Sequence, residues 1–76
     1  ADPAPSAESE VARQRRDQVV EAAMEVIATR GLHELSLKEI EKKTGMARGH
    51  LTYYFRHKED ILLAVFDKML ERMVEE

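Results

Sequence analysis

A small all-α bundle, three short helices followed by the start of a fourth, is the fold this sequence predicts. Three observations carry that prediction. Apolar residues recur at helical spacing in separate stretches, glycines at 31 and 45 punctuate those stretches, and Ser36 opens the second stretch in the pattern that starts helices. The size agrees, because 76 residues make one compact domain that buries roughly 60% of the surface the unfolded chain exposes. Three Gly and two Pro leave little material for sheets and tight turns.

The leading residues, ADPAPSAESE, combine Pro, Ala and Ser with acids and show no apolar period. They read as a disordered arm or partly an expression remnant, so residues 1–12 are assigned to an arm. A basic cluster, Arg13, Arg15 and Arg16, leads into Val19, Val20, Ala23, Val26 and Ile27, whose spacing draws one apolar stripe on a first helix. Gly31, just past the last periodic residue and after Arg30, is expected to close that helix through a left-handed conformation. Ser36-Leu37-Lys38-Glu39 is a capping box. In it the Ser36 hydroxyl accepts from the Glu39 amide and the Glu39 carboxylate returns to the Ser36 amide.

The second helix is short, with Leu37 and Ile40 inward, and Gly45 breaks it. About three residues later Arg48 to Phe55 resume a helical period through Leu51, Tyr54 and Phe55. Two helices joined by a short turn containing Gly make a helix-turn-helix, a unit that can set its second helix in the major groove of DNA. Lys58-Glu59-Asp60 then opens a fourth helix, apolar at Ile61, Leu62, Val65, Phe66, Met69, Leu70, Met73 and Val74. Residues 13–59 are therefore taken as the helix-turn-helix domain, and 60–76 as a helix leading toward a further domain.

Net charge is −3, which by itself argues against nucleic acid. The charge is segregated, however. Between Ser36 and Lys58 six cations (Lys38, Lys42, Lys43, Arg48, Arg56, Lys58) face two acids (Glu39, Glu41), a local charge of +4 that leaves −7 for the rest. With no Cys, neither disulfides nor thiolate metal sites are available. His33, His50 and His57 lack zinc spacing, no Ser-His-acid set is apparent, and there is no Gly-rich phosphate loop. Neither an enzyme nor a bound cofactor is expected. The longest apolar run, Ile61 to Phe66, falls far short of the roughly 20 residues of a membrane span, and no secretory signal opens the chain. A cytoplasmic location is the default expectation.

Gly31, Ser36, Ile40, Thr44-Gly45-Met46, Arg48-Gly49, Leu51, Tyr54-Phe55 and Lys58-Glu59 together resemble the N-terminal domain of the tetracycline-repressor (TetR) family, over about Arg15 to Leu70. The resemblance implies a three-helix, homeodomain-like DNA-binding unit and a fourth helix leading to a larger helical domain. It also implies homodimers and repression of a double-stranded operator, relieved by a small ligand in the absent C-terminal domain. The sequence departs from the family at Ala47, where a Ser or Thr cap is usual, at Glu41, usually Ala, and at Thr52, usually Tyr. An Ala cap typically costs about 1 kcal/mol of helix stability, and Thr52 has a shorter reach to a phosphate than Tyr.

In this docking geometry the first turn of the second helix meets base edges, which singles out Arg48, Gly49 and His50. The planar fork of Arg48 can donate to the O6 and N7 of one guanine, Gly49 lets the backbone approach, and His50 can donate or accept. The alternative for Arg48 is a solvated helix cation. The resemblance places Ser36, Thr52, Tyr53 and Lys58 near phosphates, and the free amides at the starts of the second and fourth helices favour anions there. Tyr54 and Phe55 share the Leu51 face and are expected in the core, leaving Tyr53 outward with Arg48 and Thr52. Lys42-Lys43 and Arg13 to Arg16 read as solvated faces, the latter alternatively as an arm for a minor groove. The rival function is a protein-interaction module using the apolar face of the last helix, which is apolar all round from Ile61 to Phe66.

Overall fold

A computed structural model describes the backbone of residues 7–74 and the side chains of residues 10–74. Four α-helices follow one another: α1 (Ala7–Arg30), α2 (Leu37–Thr44), α3 (Arg48–Tyr54) and α4 (Lys58–Val74). A single 3-10 turn, Leu32–Glu34, sits between α1 and α2, and no strand occurs among the described residues. The all-α prediction is correct.

Residues 7–12, assigned above to the arm, are the first turns of α1; residues 1–6 lie outside the described residues. Ala and Glu are good helix formers, so this stretch extends the helix without any apolar face to bury. α1 ends where the Gly31 amide donates to the Ile27 carbonyl at 3.0 Å. Gly31 has φ 93° and ψ 159°, a positive-φ region open essentially to glycine alone, but not the left-handed helical region expected. Gly45 does take the left-handed form, with φ 77° and ψ 5°, and its amide closes α2 on the Glu41 carbonyl at 2.8 Å.

Half of the expected capping box forms. Ser36 Oγ accepts from the Glu39 amide at 3.2 Å. The Glu39 carboxylate does not return to Ser36; it accepts from Arg30 Nη1 at 2.6 Å, bridging the ends of α1 and α2. A guanidinium offers a charge-assisted bond, stronger than the bond an amide offers.

The core draws one stripe from each element: Val19, Val20, Ala23 and Val26 from α1, Leu35 after the 3-10 turn, Ile40 from α2, Met46 from the turn, Leu51 and Phe55 at α3, and Ile61 and Val65 from α4. Each fully buried Leu, Ile or Val contributes about 1.5 to 3 kcal/mol. Ile27, Leu37 and Tyr54, expected inward, are half-buried against this core. Because Ile61 and Val65 complete it, a boundary between residues 59 and 60 does not separate packed units. α4 is one arm of the same bundle, and its outer face leaves Leu63, Phe66, Met69, Leu70, Met73 and Val74 exposed. No described helix is long and apolar enough to cross a membrane.

Candidate nucleic-acid interface

α2, the turn Gly45 to Ala47 and α3 present one outward surface. Ala47 takes the N-cap position of α3 with φ −72° and ψ 157°, supplying a carbonyl to the Leu51 amide at 2.9 Å but no side-chain cap. α3 ends at Phe55, whose amide returns to the Leu51 carbonyl at 3.0 Å. Burial of Leu51 and Phe55 fixes the rotation of this helix and leaves Arg48, Gly49, His50 and Tyr53 exposed.

Apart from its chain neighbours and the backbone of its own helix, a Cβ built at Gly49 meets no atom within 4 Å. Nothing inside the fold therefore demands glycine there. Arg48 Nε donates to Glu41 Oε2 across the turn, giving Glu41 a partner that the sequence alone does not reveal. The His50 ring lies 5.4 Å from that of Tyr54, tilted by 44°, and Tyr53 packs edge-on to Tyr54 at 5.1 Å. Tyr54 thus braces both neighbours, while Tyr53 itself is 79% exposed.

Of the four residues expected near phosphates, Ser36 accepts from the Glu39 amide through Oγ, and its hydroxyl donates to no partner among the described residues. Thr52 differs. Its hydroxyl is directed at the carbonyls of Arg48 and Gly49, at 3.1 and 3.3 Å, so its proton is engaged within α3. Lys58 is exposed at the start of α4 and has no ion-pair partner among the described residues. The amino end of α4 is partly occupied already, since Asp60 Oδ2 accepts from the His57 amide at 3.2 Å.

The local positive charge is smaller than the count of cations suggests. Lys43 is paired with Glu25 of α1, Lys42 lies 3.8 Å from Glu39, and Arg48 is held by Glu41. Lys38, Arg56 and Lys58 remain without a partner among the described residues, and all three are exposed. Charge counting includes Lys38 and Arg56 but does not mark them as unpaired.

Residues 19–65 match the family described as "Bacterial regulatory proteins, tetR family". Those limits are the first and last residues of the core. The chain belongs to the tetR family. Among its relatives are the "Fatty acid metabolism regulator protein" of Bacillus subtilis (strain 168), 40% identical over 58 residues, and the "HTH-type transcriptional regulator BetI" of Yersinia pestis (strain Pestoides F), 34% identical over 61 residues. The first alignment covers 76% of this chain and 30% of the relative, the second 80% and 31%. BetI of Pectobacterium carotovorum subsp. carotovorum (strain PC1) is 30% identical over 59 residues, covering 78% of this chain and 30% of its own. The chain thus spans about a third of the length of these tetR-family regulators. No solved structure matches it. Helix-turn-helix and transcription regulation are family properties, and α2, the turn and α3 have the helix-turn-helix arrangement in this chain.

Proposed function

We propose that this chain binds duplex DNA in a sequence-specific manner, as the head of a transcriptional repressor that lays α3 in the major groove. The observation that supports this most is the exposed first turn of α3, where a one-residue gap in side-chain bulk at Gly49 is flanked by a donor fork at Arg48 and an imidazole at His50. Arg48 reads a guanine, Gly49 admits the backbone, and His50 meets the neighbouring base edge. Ser36, Tyr53 and Lys58 hold phosphates, joined by Lys38 and Arg56. Thr52 serves as a phosphate contact only if its hydroxyl leaves the Arg48 carbonyl.

The exposed apolar face of α4 and the short span relative to regulators of the family support a larger homodimeric protein, whose C-terminal domain covers that face and takes a small effector. The interaction-module reading draws on the same face, but the relatives are named as regulators and lend it no support.

The test is a gel shift of this chain with random-sequence duplex across a salt series. Binding at low salt that falls as salt rises is the expected result, with a slope set by the number of phosphates neutralised. One head acting alone is expected near the non-specific range of about 10⁻⁴ to 10⁻⁶ M. Absence of binding at low salt contradicts the proposal.

A further inference from the structure

The tetR-family resemblance gives no reason for an acid at position 41, where a carboxylate on a DNA-facing helix repels phosphates of every sequence. The structure supplies one. Glu41 lies on the second turn of α2 with its side chain 27% exposed, and it accepts from Arg48 Nε, while the Arg48 side chain is 54% exposed. The carboxylate therefore engages Nε, and neither Nη of Arg48 has a hydrogen-bond partner among the described residues.

A guanidinium can meet the O6 and N7 of guanine in two ways, side-on through Nε and one Nη, or end-on through both Nη nitrogens. Occupation of Nε removes the first and retains the second. We propose that Glu41 is a positioning residue for Arg48 and thereby a determinant of base specificity: it holds Nε so that only the end-on fork faces the groove. This rests on the reading that Arg48 meets a guanine. Arginine has a long side chain with much rotamer freedom, and fixing part of it in the free protein reduces the ordering that docking must impose. Glu41 and the base do not compete, because the Nη hydrogens remain available when Nε is bound. The cost is one negative charge near the phosphates, offset by the neighbouring cation Lys38 on the same helix.

The experiment uses duplexes enriched from a random-sequence pool by the wild-type chain, each position then varied through all four base pairs. Affinities of wild type, Arg48→Ala, Glu41→Ala and Glu41→Gln are measured at one fixed salt concentration, with far-UV circular dichroism confirming the helical fold of each. Glu41→Ala is expected to lower the preference at the same base pair that Arg48→Ala relaxes by about two- to fivefold, the scale of an exposed ion pair. Its affinity for non-preferred duplexes stays level or rises. Glu41→Gln keeps an acceptor oxygen without the charge and is expected to retain more of the preference than Glu41→Ala. If Glu41→Ala leaves every preference unchanged, or sharpens the one at that pair, the proposal is overturned even while Arg48→Ala behaves as expected. A Gln variant no better than Ala also overturns it, since charge alone would then account for the effect. If Arg48→Ala relaxes no single pair, the underlying guanine reading fails instead, so the two failures are distinguishable.

Discussion

Arg30 Nη1 donates to Glu39 Oε1 at 2.6 Å, tying the last residue of α1 to the first turn of α2. The same guanidinium donates from Nη2 to Glu34 Oε1 at 2.9 Å, so one side chain clasps both sides of the 3-10 turn. The hydrogen bond from Arg30 holds the Glu39 carboxyl below the usual carboxylate range against the opposing effect of desolvation, and it raises Arg30 in turn.

This clasp makes stability depend on acid. A carboxyl whose folded pKa is depressed contributes stability that is present above its unfolded value, about 4.3 for glutamate, and lost as pH falls through the folded value. Arg30 stays charged throughout. Wild type is therefore expected to melt above Glu39→Gln near neutral pH, with the difference in midpoint shrinking once pH drops below about 4. A difference that is constant or grows on acidification contradicts the assignment.

Ala47 already has the extended backbone that a capping side chain needs, with φ −72° and ψ 157°, and lacks only the oxygen. Ala47→Ser is expected to stabilise the domain by about 1 kcal/mol, raising the thermal midpoint by roughly 4 to 8 °C. An unchanged midpoint would show that the first turn of α3 is not limited by its cap.

Gly49→Ala separates folding from binding. With nothing but its chain neighbours and its own helix backbone within 4 Å of the added Cβ, the change should stabilise α3 by about 0.5 to 1 kcal/mol through lower backbone entropy in the unfolded chain. Duplex affinity should fall by about 1 kcal/mol or more, the scale at which an extra methyl strains a packed contact. Paired melting and binding curves check it; equal affinity would place Gly49 away from the DNA.

Lys58 carries no described ion-pair partner, so its removal leaves no acid exposed. Lys58→Ala is expected to lower affinity evenly across sequences and to reduce the salt slope by about one unit, as loss of a phosphate contact does. A salt series on preferred and non-preferred duplexes reads both quantities, and an altered sequence preference would remove Lys58 from the backbone contacts.

The helices were legible wherever apolar spacing and punctuation coincide. Val19 to Val26, Ile40, Leu51 and Phe55 occupy the core as their periods indicate, and Gly45 ends α2 as expected. The start of α1 was not legible, since residues 7–12 are helical through propensity and carry no stripe. Leu35 and Met46, isolated apolar residues outside any period, are buried because the chain turns there, which only the packed fold shows. In the candidate site the outward positions of Arg48 and Tyr53 followed from the inward ones, whereas Thr52, expected outward with them, is half-buried. Ion pairing did not: Glu41 with Arg48 and Glu25 with Lys43 join residues on different helices, so their charges read in sequence as independent. Thr52 likewise shows its engaged hydroxyl only once α3 has a carbonyl at Arg48 to receive it.

The central claim, that α3 reads base edges through Arg48, is tested most directly by the base preference of Arg48→Ala on duplexes selected by the wild-type chain. Affinity alone does not decide, because Glu41 is left unpaired in that variant and repels any duplex. The preference profile does decide: binding to the selected duplex should weaken by about 1 to 3 kcal/mol more than to a duplex changed at one particular base pair, with other positions keeping their ranking. A uniform loss across all sequences, or an unaltered profile, would contradict the account.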